Sequence, residues 1–260
     1  MIEIKHEIDN TYIHYVKFGE GSKNLVIVSG VSLCGFEGLG AAIAKQDEVL
    51  AKNFTCYVFD RKIKLEVGCT IDDLADDLYR VLKEIGVDRA YFVGISQGGM
   101  ISLSMAINHP DMVEKLVVTS SAAWSGPISR ETWAEARGYL NAEDIYNFNM
   151  HLYQRIYSNS FLKQNARALD RLAHNGTKEQ CERFIILADS MDAFDVRKDL
   201  QKIKCPCFVI GGKLDKVFGF EASEEIAKAL NCECFIYENQ AHALYDESPD
   251  FCERVLNFLK

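Results

Sequence analysis

The chain has little proline, 4 in 260 residues, and no low-complexity tract, which excludes a linker-like or repetitive architecture. No run approaches the roughly 18 apolar residues that a membrane-spanning helix needs. The first ten residues, Met1-Ile-Glu-Ile-Lys-His-Glu-Ile-Asp-Asn10, alternate apolar and charged side chains and lack the apolar centre of a secretion signal. A cytoplasmic location is therefore the default expectation. Positive charge is also scarce: 29 Lys and Arg stand against 38 Asp and Glu, a net charge of −9. No Lys/Arg cluster interleaves with aromatics, so neither nucleic acid nor an anionic membrane surface is an expected partner.

Cysteine is plentiful, but not in a pattern that binds metal well. The nine cysteines are an odd number without a secretion signal, and reduced, partly buried thiols are the simplest expectation. Cys-x-x-Cys is absent. Two Cys-x-Cys pairs, Cys205/Cys207 and Cys232/Cys234, lie in strand-like runs where residues i and i+2 share a face. If those strands were neighbours, a four-thiolate zinc site would be conceivable. Stiff strand geometry converges such ligands poorly, so no metal is expected.

What the chain does have is apolar runs in order. At 48% hydrophobic residues it can fill one large α/β domain or two small ones. Residues 2–8 and 11–18 alternate around Asp9-Asn10, a hairpin signal. Continuous apolar runs then follow at 24–30, 54–60, 91–95 and 113–120, separated by helical patterns at 39–52, 70–85 and 100–109. Thr70 opens the second helix as N-cap and Gly86 closes it. Strands alternating with helices require a mostly parallel sheet covered on both faces.

That alternation breaks at Trp124. From 124 to 198 helix formers dominate, in stretches 131–140, 142–157, 161–173 and 178–191, with many aromatics. The block is expected to be a helical insertion into the core formed by 1–123 and 199–260. About half of its aromatics should make its own core, and the others could line a ligand pocket. Strands resume at 205–212 and 233–237, giving eight in all, with helices at 221–230 and 249–259.

The chemistry centres on Tyr91-Phe-Val-Gly-Ile-Ser-Gln-Gly-Gly-Met100, where a buried strand runs straight into Ser96 and then into an apolar helix. A serine on such a turn sits in a strained backbone conformation with its hydroxyl exposed at the sheet edge. Glycines at 94 and 98 avoid collisions across the turn. The helix N-terminus beyond it offers unpaired N–H groups to a developing oxyanion. Ser96 is thus the candidate nucleophile.

A serine needs a base, usually a histidine oriented by a carboxylate. Of six histidines, His6 and His14 fall in the hairpin, His109 at the far end of a helix, and His151 and His174 in the insertion. Only His242, after the last strand, is expected at the carboxyl edge of the sheet, where ligand sites gather. Asp215, after the strand ending Gly211-Gly212, is the candidate acid. Asp192 and Asp195 are fallbacks, and Asp60 reads as a structural turn residue.

On the elbow Gly94-Ile-Ser-Gln-Gly98, the Gly212–Asp215 turn and Gln240-Ala-His242, nearly the whole chain resembles the α/β-hydrolase superfamily, specifically its smaller, lidded esterase-like members. The resemblance implies an α/β-hydrolase fold with 124–198 as a helical lid. It also implies a serine hydrolase acting on a small acyl substrate, and no cofactor. The family usually carries His-Gly after its third strand; here the place reads Ser29-Gly30-Val31. The backbone oxyanion role carries over to the N–H groups of Val31 and Gln97. Serine at position 96 disfavours members that attack with aspartate, and the lack of His-Gly-Gly-Gly argues against esterases of tertiary alcohols.

Two other classes remain open. Gly35, Gly38 and Gly40 follow a strand, and Tyr79/Lys83 form Tyr-x-x-x-Lys, features of nucleotide-binding oxidoreductases; the glycine spacing and the order of these motifs fit poorly. The same fold also serves acyltransferases, lyases and binding proteins without hydrolysis.

Overall fold

A computed structural model describes residues 1–260. Strands β1 (Ile2–Ile8) and β2 (Thr11–Phe18) form the expected hairpin, with Asp9 and Asn10 both at positive φ. These two residue types tolerate that region, and such a turn matches the twist of the flanking strands. The remaining strands are β3 (Lys23–Val28), β4 (Phe54–Lys62), β5 (Ala90–Ile95), β6 (Val113–Thr119), β7 (Cys207–Gly212) and β8 (Glu233–Tyr237). All eight join one sheet in the order β1-β2-β4-β3-β5-β6-β7-β8. The β1–β2 and β2–β4 pairings are antiparallel, and the other five are parallel.

This order places a topological switch at β3, which pairs in parallel with β4 on one side and β5 on the other. Chain leaving the carboxyl ends of β3 and β5 diverges there, and the gap is where ligands bind in open α/β sheets. The loops concerned carry Ser29 to Val31 and Ser96.

Helices α1 (Gly40–Gln46), α2 (Glu48–Ala51), α3 (Ile71–Glu84) and α4 (Gln97–Asn108) cross between the early strands. Helices α5 (Pro127–Asn141), α6 (Ile145–Ile156), α7 (Asn159–Leu172) and α8 (Lys178–Asp192) follow one another between β6 and β7. The chain finishes with α9 (Phe220–Leu230), α10 (Leu244–Glu247) and α11 (Phe251–Leu259). Two buried apolar layers flank the sheet: Leu78, Val81, Met100 and Ile226 lie on one face, Leu50, Val255 and Leu259 on the other. Every residue of β5 is buried, as its unbroken apolar run requires.

Local signals set the helix starts. Thr70 Oγ1 accepts the Asp73 N–H at 3.1 Å while Asp73 returns a bond to the Thr70 N–H, a capping box worth about 1 kcal/mol. Thr177 and Gln180 repeat it before α8, and Ser158 caps α7.

Two expectations fail. The helix at 39–52 is broken at Asp47, which ends α1 and lets α2 turn Leu50 into the core beside α11. Asp60 does not end its strand. β4 continues to Lys62, so Asp60 sits within it, buried with Arg61 and Arg183 rather than in a turn.

Candidate active site

Ser96 joins β5 to α4 with φ 56° and ψ −122°, a conformation that a non-glycine residue holds only when its surroundings force it. The force is visible in the packing. A Cβ on Gly94 would lie 2.5 Å from the Gly98 carbonyl oxygen, and one on Gly98 would lie 2.0 Å from that of Val28. Ser121 Oγ donates to the Ser96 carbonyl at 2.7 Å and holds the turn from β6.

The turn that carries Asp215 and the loop that carries His242 are stitched together. The Leu214 N–H donates to the Gln240 carbonyl at 2.9 Å, and a Cβ on Gly212 would strike the Ala241 carbonyl oxygen. As a result His242 Nε2 stands 2.9 Å from Ser96 Oγ, 146 residues away, and His242 Nδ1 stands 2.8 Å from Asp215 Oδ2. Ser96 is 4% exposed, His242 3% and Asp215 9%. Asp215 Oδ1 accepts the N–H groups of Val217 and Phe218 at 2.7 and 3.1 Å. Burial alone would raise the Asp215 carboxyl; the His242 charge and these bonds outweigh it and hold it below the usual carboxylate range.

The model for the alpha/beta hydrolase fold matches residues 35–249. The chain belongs to this family. It is 25% identical, over 97% of its own length and 96% of the relative's, to a candidate carbamate hydrolase, RutD, of Caulobacter sp. (strain K31). It is also 25% identical to 3-oxoadipate enol-lactonase 2 of Acinetobacter baylyi, over 56% of this chain and 54% of the relative. The solved enol-lactonase from Burkholderia xenovorans LB400 superposes with a TM-score of 0.86, at 22% identity, covering 98% of this chain and 99% of that one. The fold is the α/β-hydrolase fold, and the chain is a hydrolase.

Within this hydrolase the oxyanion candidates flank the serine from two sides. Gln97 opens α4, so its N–H is one of the first-turn donors that a helix leaves unpaired. Its side chain is fully buried and donates to the Leu187 carbonyl at 2.9 Å, fastening α8 to the serine turn. Val31 follows Gly30, where an added Cβ would sit 3.3 Å from Ser96 Cβ and 3.9 Å from its Oγ. An aromatic path leads from the histidine to helices α5 and α8. Phe218 packs 5.5 Å from His242 and 6.4 Å from Trp133, whose ring is 6.3 Å from Phe184.

The fallback acids are engaged elsewhere: Asp192 pairs with Arg137 at 2.7 Å and Asp195 with Arg197 at 2.6 Å. Four of the other histidines each face a carboxylate away from Ser96: His6 with Glu84, His14 with Glu3, His109 with Asp76 and His151 with Glu135. His174 packs on Tyr146. The glycine loop that suggested a nucleotide site is filled by its own chain. Glu3 accepts the N–H groups of Gly38 and Gly40 at 2.9 and 2.7 Å. Tyr79 stacks on His109, and Lys83 pairs with Asp88. No three His, Cys, Asp or Glu side chains gather to hold a metal ion, and all nine cysteines are free.

Two charged residues escaped the sequence reading, Arg61 and Arg183, and both engage Asp60, which the sequence had placed in a turn. Arg183 of α8 reaches the Lys62 carbonyl, the Arg61 carbonyl and Asp60 Oδ1 at 3.0, 3.0 and 3.1 Å. Arg61 turns the other way, onto Ser29 and Gly30. The one available signal was charge placed inside an otherwise buried strand, Phe59-Asp-Arg-Lys62, which demands partners.

Proposed function

We propose that this hydrolase cleaves a small carboxylic ester, thioester or lactone through an acyl-enzyme on Ser96. What carries this reading is the hydrogen-bonded relay of hydroxyl, imidazole and carboxylate, buried away from competing water. His242 removes the Ser96 proton as the oxygen attacks the acyl carbon. Asp215 fixes the imidazole so that Nε2 faces the hydroxyl, and stabilises the imidazolium that forms. The N–H groups of Val31 and Gln97 hold the developing oxyanion. His242 then protonates the leaving group, and water activated by the same imidazole releases the acid. No step calls for a metal or cofactor.

Support for an acyl carbonyl also comes from the relatives, named for a carbamate and an enol-lactone, both of which present one. We read 124–198 as a lid over this site, held to the core by Gln97 and Arg183. Its Trp133 and Phe184, continuous with Phe218, favour an apolar or aromatic acyl or leaving group. Nine free thiols suit a reducing, cytoplasmic compartment.

A chain-length series of p-nitrophenyl esters on the wild type and Ser96→Ala tests the proposal. Turnover of short esters that disappears in Ser96→Ala is expected. Wild-type turnover by Ser96→Ala sinks it. Adding alcohol or thiol acceptors separates an acyltransferase, which would form a new ester or thioester in place of the free acid.

A further inference from the structure

We infer that Arg61 is the positioning residue of the oxyanion site: its guanidinium grips the Ser29-Gly30 backbone and so aims the Val31 N–H at the attacked carbonyl. The inference rests on Ser96 being the nucleophile, as proposed above.

The grip has three points. Arg61 Nη1 donates to Ser29 Oγ and to the Gly30 carbonyl, each at 3.1 Å, and Nη2 donates to the Ser29 carbonyl at 2.5 Å. Ser29 Oγ in turn donates to the Phe59 carbonyl at 3.1 Å, so it is oriented to accept from Arg61. The consequence for catalysis follows from peptide geometry. In a trans peptide the C=O and the next N–H point in opposite directions, and the chain contains no cis bond. Holding the Gly30 oxygen toward Arg61 therefore turns the Val31 N–H to the far side of that peptide. Gly30 itself lies against the Ser96 side chain, so that far side belongs to the site.

Without this grip Ser29 keeps its own N–H and Oγ bonds to the Phe59 carbonyl, but the Gly30 carbonyl has no other partner. Glycine permits many backbone conformations, and serine stands where the family usually has histidine. The guanidinium is itself enclosed. It is buried, with Asp60 Oδ1 3.7 Å away, and Asp60 is in turn held by Arg183. Burial, opposed by Asp60 and reinforced by Arg183, lowers the Arg61 group to about 10, so it stays charged near neutrality. Burial would raise the Asp60 carboxyl, but the charges of Arg183 and Arg61 outweigh it and hold it low. Two guanidinium groups against one carboxylate leave a net positive charge behind the Gly30–Val31 peptide. That charge further favours an oxyanion on its other face. Lysine could supply the charge but not the planar fork.

The test compares Arg61→Lys and Arg61→Met with Ser96→Ala and the wild type. It measures p-nitrophenyl ester kinetics, thermal melting, and inhibition by a trifluoromethyl ketone, which captures the serine as a tetrahedral oxyanion. Folded Arg61 variants should lose roughly 10²-fold in kcat, the loss typical of one oxyanion donor, with KM changed by less than about threefold. Ketone affinity should fall by a similar factor. Folded Arg61 variants with wild-type kcat and ketone affinity, beside an inactive Ser96→Ala, would overturn the inference and leave the nucleophile standing. Full activity in Ser96→Ala removes both. Should the variants not fold, the wild type decides: the Val31 amide proton must move downfield in the ketone adduct, and an unmoved resonance rejects the role.

Discussion

A Cβ atom on Gly98 would lie 2.0 Å from the carbonyl oxygen of Val28. The turn holding Ser96 is thus wedged against the end of β3, and the strained serine backbone is held by neighbours that cannot move apart. Gly98→Ala should prevent folding or lower the melting temperature by more than about 10 °C, because the obstacle is backbone rather than a flexible side chain. Gly68, at φ 87° with open space around it, provides the contrast. Gly68→Ala should cost only the roughly 1–2 kcal/mol of a left-handed backbone. Equal melting temperatures for the two variants would contradict this account of the turn.

Gln97 separates backbone from side chain at the same site. Its N–H is the proposed oxyanion donor, whereas its amide ties α8 to the turn through Leu187. Gln97→Leu keeps the N–H, so kcat should stay within about tenfold while stability falls by about 1–2 kcal/mol. A fall of 10³-fold in kcat with unchanged stability would move the catalytic role to the side chain.

Asp60 gives the clearest dependence on pH. Its folded carboxyl is held below the ordinary value of about 4, so between the two values the unfolded chain binds more protons. Its contribution to stability is therefore present above about pH 4 and is lost as pH falls through the folded value. Asp60→Asn leaves Arg61 and Arg183 facing each other, and should destabilise by on the order of 3 kcal/mol at pH 7. Denaturant melts at pH 7 and pH 3 should show the difference from wild type shrinking in acid. A difference that grows toward pH 3 would reverse the assigned direction.

Asp215→Asn should lower kcat by about 10⁴-fold with little change in KM, since an amide cannot favour the imidazole tautomer that faces Ser96. Asp192→Asn, whose carboxylate binds Arg137 instead, should retain activity. Steady-state kinetics on one p-nitrophenyl ester decides between the two acids. Loss of activity in Asp192→Asn alone would reassign the acid.

Much of the fold was legible because its signals are local. Apolar runs marked the strands, and Thr70 caps a helix that begins one residue later. The serine turn was legible for the same reason: its glycines sit within two residues of the hydroxyl they make room for. The Arg183–Asp60–Arg61 chain was not, because Arg183 lies more than 120 residues from the other two and no short pattern encodes their meeting. The break at Asp47 was hidden as well. Helical periodicity continues through 39–52, and only the packing of Leu50 toward α11 requires the turn. Which acid serves the histidine depended on where loops end in space, and sequence left Asp192 and Asp195 beside Asp215.

In the proposed reaction the Ser96 oxygen, activated by His242, becomes covalently bonded to substrate. Intact-mass and peptide-mapping analysis after brief exposure to a fluorophosphonate, with wild type, Ser96→Ala and His242→Ala side by side, tests this bond. One adduct per wild-type chain is expected, located on Ser96, with none on Ser96→Ala and labelling of His242→Ala slowed by orders of magnitude. An adduct on another residue, or equal labelling of all three proteins, would contradict it.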